Sequence, residues 1–484
     1  MTIIEQRSTV PVQGHPTGLV SLVGIELWER FSFYGMQAIL VFYLYAEDGL
    51  GLAKQEATAL IGAYGAFVYL ATIAGGWLSD HFAGPERTLL GGAISVMAGH
   101  IVLSLIPGTT GAIMGLLAIG AGSGLLKTCA ITTLGLLYSD RPTFQKSQGF
   151  QLFYLGIQLG AMFGPIITGY LAHRYSWHVG FGAAAVLMAV GLASYATLRP
   201  RMYRQLPSNI VARISTPTSP LSPRNRRKAL GGFVIGIACL ATGSRWLTPS
   251  RLSSILLIVV LCAVIIIFAG LLRSSQVTAV ERVKLRAFIP LFLAGAAFWS
   301  VSYQNFGVFA VYSDVQLNRM IGTFEIPAAW VQTLNPILVM ALAYPVARFW
   351  TVRPNAPLPG TTMSIGLFLG GAAFLLFLPF VGDAPGTTPL LAMVAIAPII
   401  AIGELLIGPI CMAATADFAP EAHRTTFSAL YFLTFAVGMA ASGKLSEFYI
   451  PGSPKAETTY FLGTAVTTIA LAGALWLWTK RRGA

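Results

Sequence analysis

Three ionisable residues interrupt an apolar stretch near the start of the chain, in the sequence ELWERFSFYG. Glu26, Glu29 and Arg30 are spaced i, i+3 and i+4, which places their side chains on one face of a helix. Two carboxylates beside a guanidinium can either hold a proton or form an ion pair, because the two states compete in a low-dielectric environment. The pattern indicates a group that takes up and releases protons.

Two more charges lie inside apolar segments: Lys127 follows GAGSGLL, and Glu404 lies in AIGELLIGPI. Each charge at a helix centre costs roughly 2.5–3.5 kcal/mol on insertion scales, so five unpaired charges would cost on the order of 12–18 kcal/mol. We therefore expect the five residues to pair or to face water. An ion-pair lattice that only locks helices together is the alternative, although desolvation makes such pairs poor stabilisers. His100 is expected to be a hydrogen-bonded core residue.

The elements that position these charges are membrane helices. The chain has 484 residues, of which 55% are hydrophobic and 10% are charged, whereas soluble proteins carry about 25% charged residues. Apolar stretches of about 20 residues, long enough to cross a bilayer, recur throughout. We predict an all-α polytopic membrane protein with fourteen transmembrane helices. They are expected at 19–46, 57–80, 87–107, 110–138, 147–172, 178–198, 229–244, 252–272, 286–313, 326–350, 358–380, 388–416, 423–448 and 457–479.

Lys and Arg residues are distributed unequally between the loops on the two sides of the predicted membrane. With the N-terminus placed in the cytoplasm, 22 of the 31 Lys and Arg residues lie in cytoplasmic segments and 6 in outer loops. This bias predicts a multi-pass membrane protein with both termini in the cytoplasm. The net charge of +13 therefore reflects topology and does not indicate nucleic-acid binding.

A basic stretch rich in Pro and Ser, residues 199–228, divides the predicted helices. It lacks helical periodicity and is expected to be a cytoplasmic linker between two six-helix halves. Six, two and six helices favour a major facilitator fold, in which the substrate site lies near the midplane between the halves. The predicted organisation is an N-terminal bundle at 1–198, the linker at 199–228, an inserted helix pair at 229–272, a second cytoplasmic linker at 273–285 and a C-terminal bundle at 286–484.

A series of motifs follows ELWERFSFYG along nearly the whole chain. They are GAYGAFVYLATIAGGWLSDHFAGPERT, GFQLFYLGIQLGAMFGPIITGYL, WHVGFGAAAV, FWSVSYQNFG, PAAWVQTLNPILV, GELLIGP and YFLTFAVGM. In content and order these motifs resemble those of the proton-dependent oligopeptide transporters of the major facilitator superfamily. The two inserted helices and a short loop near 381–387 are similar to the bacterial members.

The resemblance implies a proton-coupled symporter that imports di- and tripeptides or peptide-like solutes by alternating access. It assigns proton coupling to Glu26, Glu29 and Arg30, and an inter-bundle salt bridge to Lys127 and Glu404. It implies no cofactor, since the proton gradient drives transport. The implied partners are a small peptide, protons and the lipid bilayer, and we expect a monomer.

The same resemblance implies a substrate site with residues from both halves. Asn335 and Glu404 match groups that hold the amino terminus of the peptide, and Arg30 lies near its carboxylate. The full set of implied binding residues is Arg30, Tyr34, Gln37, Tyr69, Lys127, Gln158, Tyr303, Asn335, Glu404 and Tyr431.

Several of these positions depart from the family pattern. Gln37 stands where the family has an arginine, Gln158 where it has an asparagine, and Tyr303 where it has a glutamate. The other departures are Tyr431 for tryptophan, Phe33 for tyrosine and Thr128 for proline. Because the pocket loses charge at positions 37 and 303, we predict lower affinity for ordinary free dipeptides and a shifted, narrower substrate range.

Two other functions stay open at the level of sequence. The altered pocket favours a major facilitator importer or exporter of another small amphipathic solute, such as a peptide-like natural product. A membrane-embedded enzyme is the second alternative, but the chain contains no HExxH, GxSxG or Walker motif. We expect a transporter with neither catalytic residues nor a metal site.

Overall fold

The computed structural model describes residues 15–139, 141–225, 227–228, 248–351 and 358–482. Fifteen α-helices lie within these residues. They are α1 Thr17–Tyr45, α2 Lys54–Leu78, α3 Pro85–Leu105, α4 Gly108–Leu137, α5 Thr143–Arg174, α6 Trp177–Gln205, α7 Ser208–Ser215, α8 Pro249–Arg273, α9 Ala279–Ser302, α10 Val308–Val315, α11 Leu334–Thr351, α12 Pro359–Leu375, α13 Leu390–Asp417, α14 Arg424–Ser446 and α15 Pro454–Arg482.

Strands are confined to four short pieces in loops. They are β1 Leu317–Asn318, β2 Met320–Ile321, β3 Phe324–Glu325 and β4 Thr388–Pro389. β1 pairs with β4 in parallel, and β2 pairs with β3 in an antiparallel hairpin. These two small sheets follow α10 and precede α13, so they tie together loops and form no core.

Twelve helical segments in the described part of the chain are long and apolar enough to cross a membrane. The 29-residue α1 carries the charges of ELWERFSFYG and adds another long helix. Each of these thirteen segments corresponds to one of the predicted helices. The remaining predicted helix, 229–244, lies outside the described residues.

The helices pack as two groups that meet across a central space. α1 packs against α5 and α6, α3 against α4 and α6, and α2 against α4. In the second group α12 packs against α15 and α13, and α9 packs against α14. α2 and α14 connect the groups, and α8 packs against both of them.

Small residues let α5 approach α1 closely at the level of the charges. A Cβ at Gly160 would lie 2.7 Å from the Cβ of Arg30, and one at Gly164 would lie 2.4 Å from the carbonyl oxygen of Phe31. Thr168 supports the same contact by donating a hydrogen bond to the carbonyl oxygen of Gly35 at 2.7 Å. The glycines therefore hold α1 where its charged face points away from lipid.

The prediction of an irregular 199–228 was wrong in its first half. α6 continues through Pro200 to Gln205, because Arg199 Nε donates to Glu86 Oε1 of α3 at 2.7 Å and this contact holds the last turns in place. α7 then buries Ile210 and Ile214, which are spaced i, i+4. Tertiary contacts outweigh the helix-breaking tendency of proline. The i, i+4 spacing of the two isoleucines is a helical periodicity that the sequence-based prediction missed.

Two helices predicted as continuous are broken where they reach the central space. The segment 286–313 is interrupted by a 3-10 turn at Tyr303–Phe306, and 326–350 begins with a 3-10 turn at Ala328–Thr333. The first turn is anchored to α14, since Gln304 Nε2 donates to the carbonyl oxygen of Ser442 at 3.2 Å. Irregular backbone at this depth is tolerated because it lies inside the protein and lines a cavity.

Candidate functional site

The charges of α1 form a compact group with α4, which we call the α1–α4 cluster: Glu26, Glu29, Arg30, Ser123 and Lys127. Arg30 Nε donates to Glu26 Oε1 at 2.7 Å, and Arg30 Nη2 contacts the same oxygen. Arg30 Nε also lies 3.4 Å from Glu29 Oε2. The predicted i, i+3, i+4 face therefore turns inward and its charges are paired.

Lys127 reaches the same group from α4. Its Nζ lies 3.7 Å from Glu29 Oε1, and Ser123 bridges the two by donating to Glu29 Oε1 and accepting from Lys127, each at 2.5 Å. The ammonium also lies 4.0 Å from the centre of the Phe33 ring, within the range of a cation–π contact.

The cluster is almost completely shielded from solvent. The side chains of its four charged residues are exposed by only 0–7%. Two carboxylates face two cations, so the group is formally neutral. Glu26 Oε2 and Glu29 Oε2 accept no hydrogen bond from the described residues. Each of these oxygens is an acceptor that a proton can occupy.

The acid of the second half has a different environment. Glu404 of α13 accepts one hydrogen bond, from Asn335 Nδ2 of α11 at 3.0 Å, and it is only partly buried. The predicted Lys127–Glu404 salt bridge is not formed in this conformation. The physical reason is that Glu29 and Ser123 already satisfy the Lys127 ammonium, while Asn335 holds Glu404 in the other half.

A cavity lies between the two halves beside Glu404, with about 590 Å³ of empty space including its open mouth. Its lining residues are Tyr34, Gln158, Ala161, Pro165, Trp299, Ser302, Tyr303, Asn305, Phe306, Gln332, Asn335, Pro336 and Glu404. Five of the implied binding residues are thus brought together: Tyr34, Gln158, Tyr303, Asn335 and Glu404.

The other implied binding residues lie around this cavity and do not line it. Tyr69 lies behind Tyr303, with their hydroxyl oxygens 3.2 Å apart. Tyr69 and Tyr431 both pack on the ring of Phe435, with centroids 5.0 and 5.2 Å from it. Arg30 and Lys127 belong to the α1–α4 cluster. Gln37 lines a smaller, neighbouring cavity.

Sequence reasoning missed several residues of the site. Trp299, Asn305 and Phe306 all line the cavity. Asn305 and Phe306 do so from the turn at Tyr303–Phe306, which the motif FWSVSYQNFG did not indicate. Ser123 lies one helical turn before Lys127, so its spacing could have revealed it. Phe435 carried no signal beyond its place in YFLTFAVGM.

His100 differs from its expected role. The residue is fully buried in α3, and neither ring nitrogen has a hydrogen-bond partner among the described residues. The prediction of a hydrogen-bonded core histidine was wrong, because its surroundings in the packed helices offer no polar group at hydrogen-bond distance. We assign it no part in the site.

The cavity is closed toward the end of the helix bundle that carries the α1–α2 loop (46–53). There, Tyr45 at the end of α1 donates to Asp314 Oδ2 of α10 at 2.6 Å. Slightly deeper, Trp330 Nε1 donates to the carbonyl oxygen of Ile166 on α5 at 2.9 Å. Both hydrogen bonds join the first half to the second and seal this end.

Toward the opposite end, the face of α5 that carries Gln158 becomes more exposed. Tyr154 lies one turn before Gln158 on the same face of α5, and it is 50% exposed whereas Gln158 is 9% exposed. The exposed fraction of this face of α5 therefore rises from the cavity toward the beginning of the helix.

Comparisons with known sequences agree with these features. Residues 86–460 match the sequence pattern of the POT family. The chain is 33% identical over 474 residues to YclF, an uncharacterized transporter from Bacillus subtilis (strain 168), covering 96% of this chain and 94% of YclF. It is 32% identical over 455 residues to a di-/tripeptide transporter from Lactococcus lactis subsp. cremoris, covering 90% of each.

Solved structures show the same architecture. The crystal structure of a POT peptide transporter in complex with alafosfalin matches with a TM-score of 0.89 at 33% identity, covering 98% of this chain and 96% of that one. A POT family transporter in complex with 5-aminolevulinic acid matches with a TM-score of 0.88 at 30% identity, covering 98% of both. The predicted all-α major facilitator fold is confirmed, and the chain is a multi-pass membrane transporter and not an enzyme. The chain belongs to the POT family.

Proposed function

We propose that this transporter imports di- and tripeptides or peptide-like solutes together with protons, by alternating access of its two halves. The observation that carries the proposal is the division of charge in the site. A buried, self-neutralised cluster, in which two carboxylate oxygens accept no hydrogen bond from the described residues, lies beside an inter-half cavity that contains one separate acid, Glu404. A zwitterionic peptide complements such a site.

The amino end of the ligand is assigned to Glu404 and Asn335. An ammonium group would replace or share the Asn335 hydrogen bond at Glu404, and a charge-assisted bond of this kind is stronger than the neutral bond. Tyr34 and Phe306 supply aromatic surface for the body of the ligand, with ring centroids 6.1 Å apart. The cavity therefore accommodates both a charged end and an apolar side chain.

The proton is assigned to Glu26 and Glu29. Protonation of Glu29 would neutralise the main counter-charge of Lys127, 3.7 Å away, and free the ammonium to turn toward the cavity. Arg30 would likewise lose part of its pairing and become available to the carboxylate of a peptide. Proton uptake and ligand binding would thereby use the same cations, and Lys127 could pair with Glu404 in another conformation.

The membrane supplies the driving force in this proposal. Moving one charge across 100 mV provides about 2.3 kcal/mol, enough for roughly fifty-fold accumulation. Members of the POT family are not expected to need a cofactor. In this proposal the proton gradient alone drives transport. We propose that the protein acts as a monomer in the bacterial inner membrane, with both termini in the cytoplasm. The open end of the cavity then faces the cytoplasm.

The domain organisation is part of the proposal. The moving bodies would be the bundles at 1–198 and 286–484, joined by the linkers 199–228 and 273–285 and by the inserted pair at 229–272. Hydrogen bonds such as Tyr45–Asp314 must break when the outer end opens, since they join the two bundles. The halves would rock about the cavity, as in other major facilitator transporters.

A shifted substrate range follows from the residues of the cavity. Gln158 extends one methylene further than an asparagine, and Tyr303 places a phenol where a carboxylate is expected. Both changes favour ligands with less terminal charge or more aromatic surface. A small amphipathic solute or peptide-like natural product is therefore the second candidate substrate, consistent with relatives that bind alafosfalin and 5-aminolevulinic acid.

The proposal is tested with purified protein in proteoliposomes under an imposed pH gradient. Uptake of labelled dialanine is competed with dipeptides, tripeptides, free amino acids and a C-terminally amidated dialanine. We expect di- and tripeptides to compete, free amino acids to fail, and the amide to compete at least as well as dialanine. Competition by none of the peptides would exclude the peptide assignment, whereas a strong preference for dialanine over the amide would exclude only the shifted range.

A further inference from the structure

A second, smaller cavity lies between the halves behind the wall of the first, and we call it the Gln37 cavity. Its lining residues are Gln37, Thr58, Ile61 and Gly62 from the first half, and Tyr303, Phe306, Gly307, Met439 and Ser442 from the second. Gln37 is 1% exposed, and its Oε1 has no hydrogen-bond partner among the described residues. Burying an amide oxygen without a hydrogen-bond partner costs free energy, so a glutamine at this position requires a physical reason.

Two of the departures from the family pattern meet at this cavity. The resemblance places an arginine at position 37 and a glutamate at position 303, which have opposite charge. In this chain both are neutral, and the structure puts them against one small space from opposite halves. Loss of one charge alone would leave its partner buried and unpaired, which is strongly destabilising, whereas loss of both leaves no such charge.

We propose that Gln37 and Tyr303, which line one cavity from opposite halves, act as a coupled neutral pair that takes the place of a charge pair. Position 303 belongs to the second half because its turn is fixed to α14: Ser446 Oγ donates to Gln304 Oε1 at 3.0 Å, and Gln304 donates to Ser442. Position 37 belongs to the first half through α1. The two residues therefore approach or separate as the halves move.

Aromatic contacts at the same turn replace the missing ion pair. The Phe306 ring stacks on Tyr34 of α1 at a centroid distance of 6.1 Å and an interplanar angle of 20°. The Tyr303 hydroxyl lies 3.2 Å from that of Tyr69 on α2. Each contact joins a first-half residue to the α9–α10 turn. The closed end is thus held by packing, and Gln37 contributes no charge to the ligand.

The test is a double-mutant cycle with Gln37→Arg and Tyr303→Glu. Two quantities are measured in parallel: peptide exchange, and the thermal unfolding midpoint of the detergent-purified protein without a ligand. Only the exchange measurement rests on the proposed function. Each single variant inserts one charge without a partner and should reduce peptide exchange at least about tenfold. The double variant should recover to within about threefold of the parent, because the two charges pair.

Two controls separate pairing from general effects. Gln37→Met keeps the site neutral, and its thermal unfolding midpoint should stay close to that of the parent. Gln37→Arg combined with Tyr431→Glu places the acid outside the Gln37 cavity and should show no recovery.

Additive losses in the Gln37→Arg/Tyr303→Glu variant would overturn the inference, as would recovery with Tyr431→Glu. If a single variant yields no folded protein, restored folding in the double variant supports the pairing and its failure contradicts it. A parent that exchanges no peptide refutes the proposed function, while the unfolding midpoints still decide the inference.

Discussion

Acids lie inside the helix bundle in both halves of the protein, in contrasting surroundings. Glu26 and Glu29 lie against two cations and a serine, and their side chains are exposed by 1% or less. Glu404 has one neutral partner, Asn335, and faces a cavity. The first arrangement can hold or release a proton without a ligand, because its charges balance internally. The second is left with a negative charge that a ligand or Lys127 must compensate. This contrast is the basis of the proposed division into a driving site and a recognition site.

Among single substitutions in the site, removal of Lys127 should reduce transport most. Lys127→Ala leaves Glu29 without its second cation, and breaking a buried pair destabilises a protein by about 3–5 kcal/mol. We therefore expect a lower thermal unfolding midpoint and a strong loss of transport. Lys444→Ala is the matched control, since Lys444 pairs with Glu447 at a partly exposed site. Its loss should change transport by no more than about threefold.

Double-mutant cycles identify the partners of Lys127 in each state. The Lys127/Glu29 cycle, measured by thermal unfolding, should show a coupling of about 0.5–3 kcal/mol, because the pair exists in the closed-end conformation described here. The Lys127/Glu404 cycle, measured by transport rate, should also be non-additive if the ammonium changes partner. Additive transport losses for Lys127→Ala and Glu404→Ala would show that the second pair does not form.

A smaller and more selective effect is expected for Glu404. Glu404→Gln removes the charge that attracts an ammonium group, and hydrogen bonds to charged groups contribute about 1.5–3 kcal/mol, or roughly ten- to hundredfold in affinity. Binding of dialanine should weaken by this factor, while an N-acetylated analogue should be little affected. Glu325→Gln in the β2–β3 hairpin is the control and should leave the binding of both ligands unchanged. Equal weakening of both ligands would remove Glu404 from amino-end recognition.

The smallest effect is expected for the bridging serine. Ser123→Ala removes one hydrogen bond to Glu29 and one from Lys127 but leaves both charges, so transport should fall by about tenfold or less. Ser95→Ala is a suitable control, because Ser95 donates only to the carbonyl oxygen of Ala118. A loss as large as that of Lys127→Ala would contradict a merely bridging role for Ser123.

The sequence predicted those parts of the site that depend on helical spacing. Glu26, Glu29 and Arg30 share a face because i, i+3 and i+4 positions do so in any helix, and the apolar lengths determined the spans. The turns at 303–306 and 328–333 could not be predicted, because contacts of Gln304 with α14 create the first one. Neither could the partner of Lys127, since both Glu29 and Glu404 satisfied the pattern and only the conformation selects between them.

The separation of driving site from recognition site is tested most directly by Glu26→Gln and Glu29→Gln in proteoliposomes. Each variant is assayed for accumulation of labelled dialanine under a pH gradient and for exchange against internal dialanine without one. The account predicts that accumulation is lost while measurable exchange persists, because Glu404 and the cavity remain intact. Accumulation by both variants in response to the gradient would contradict it.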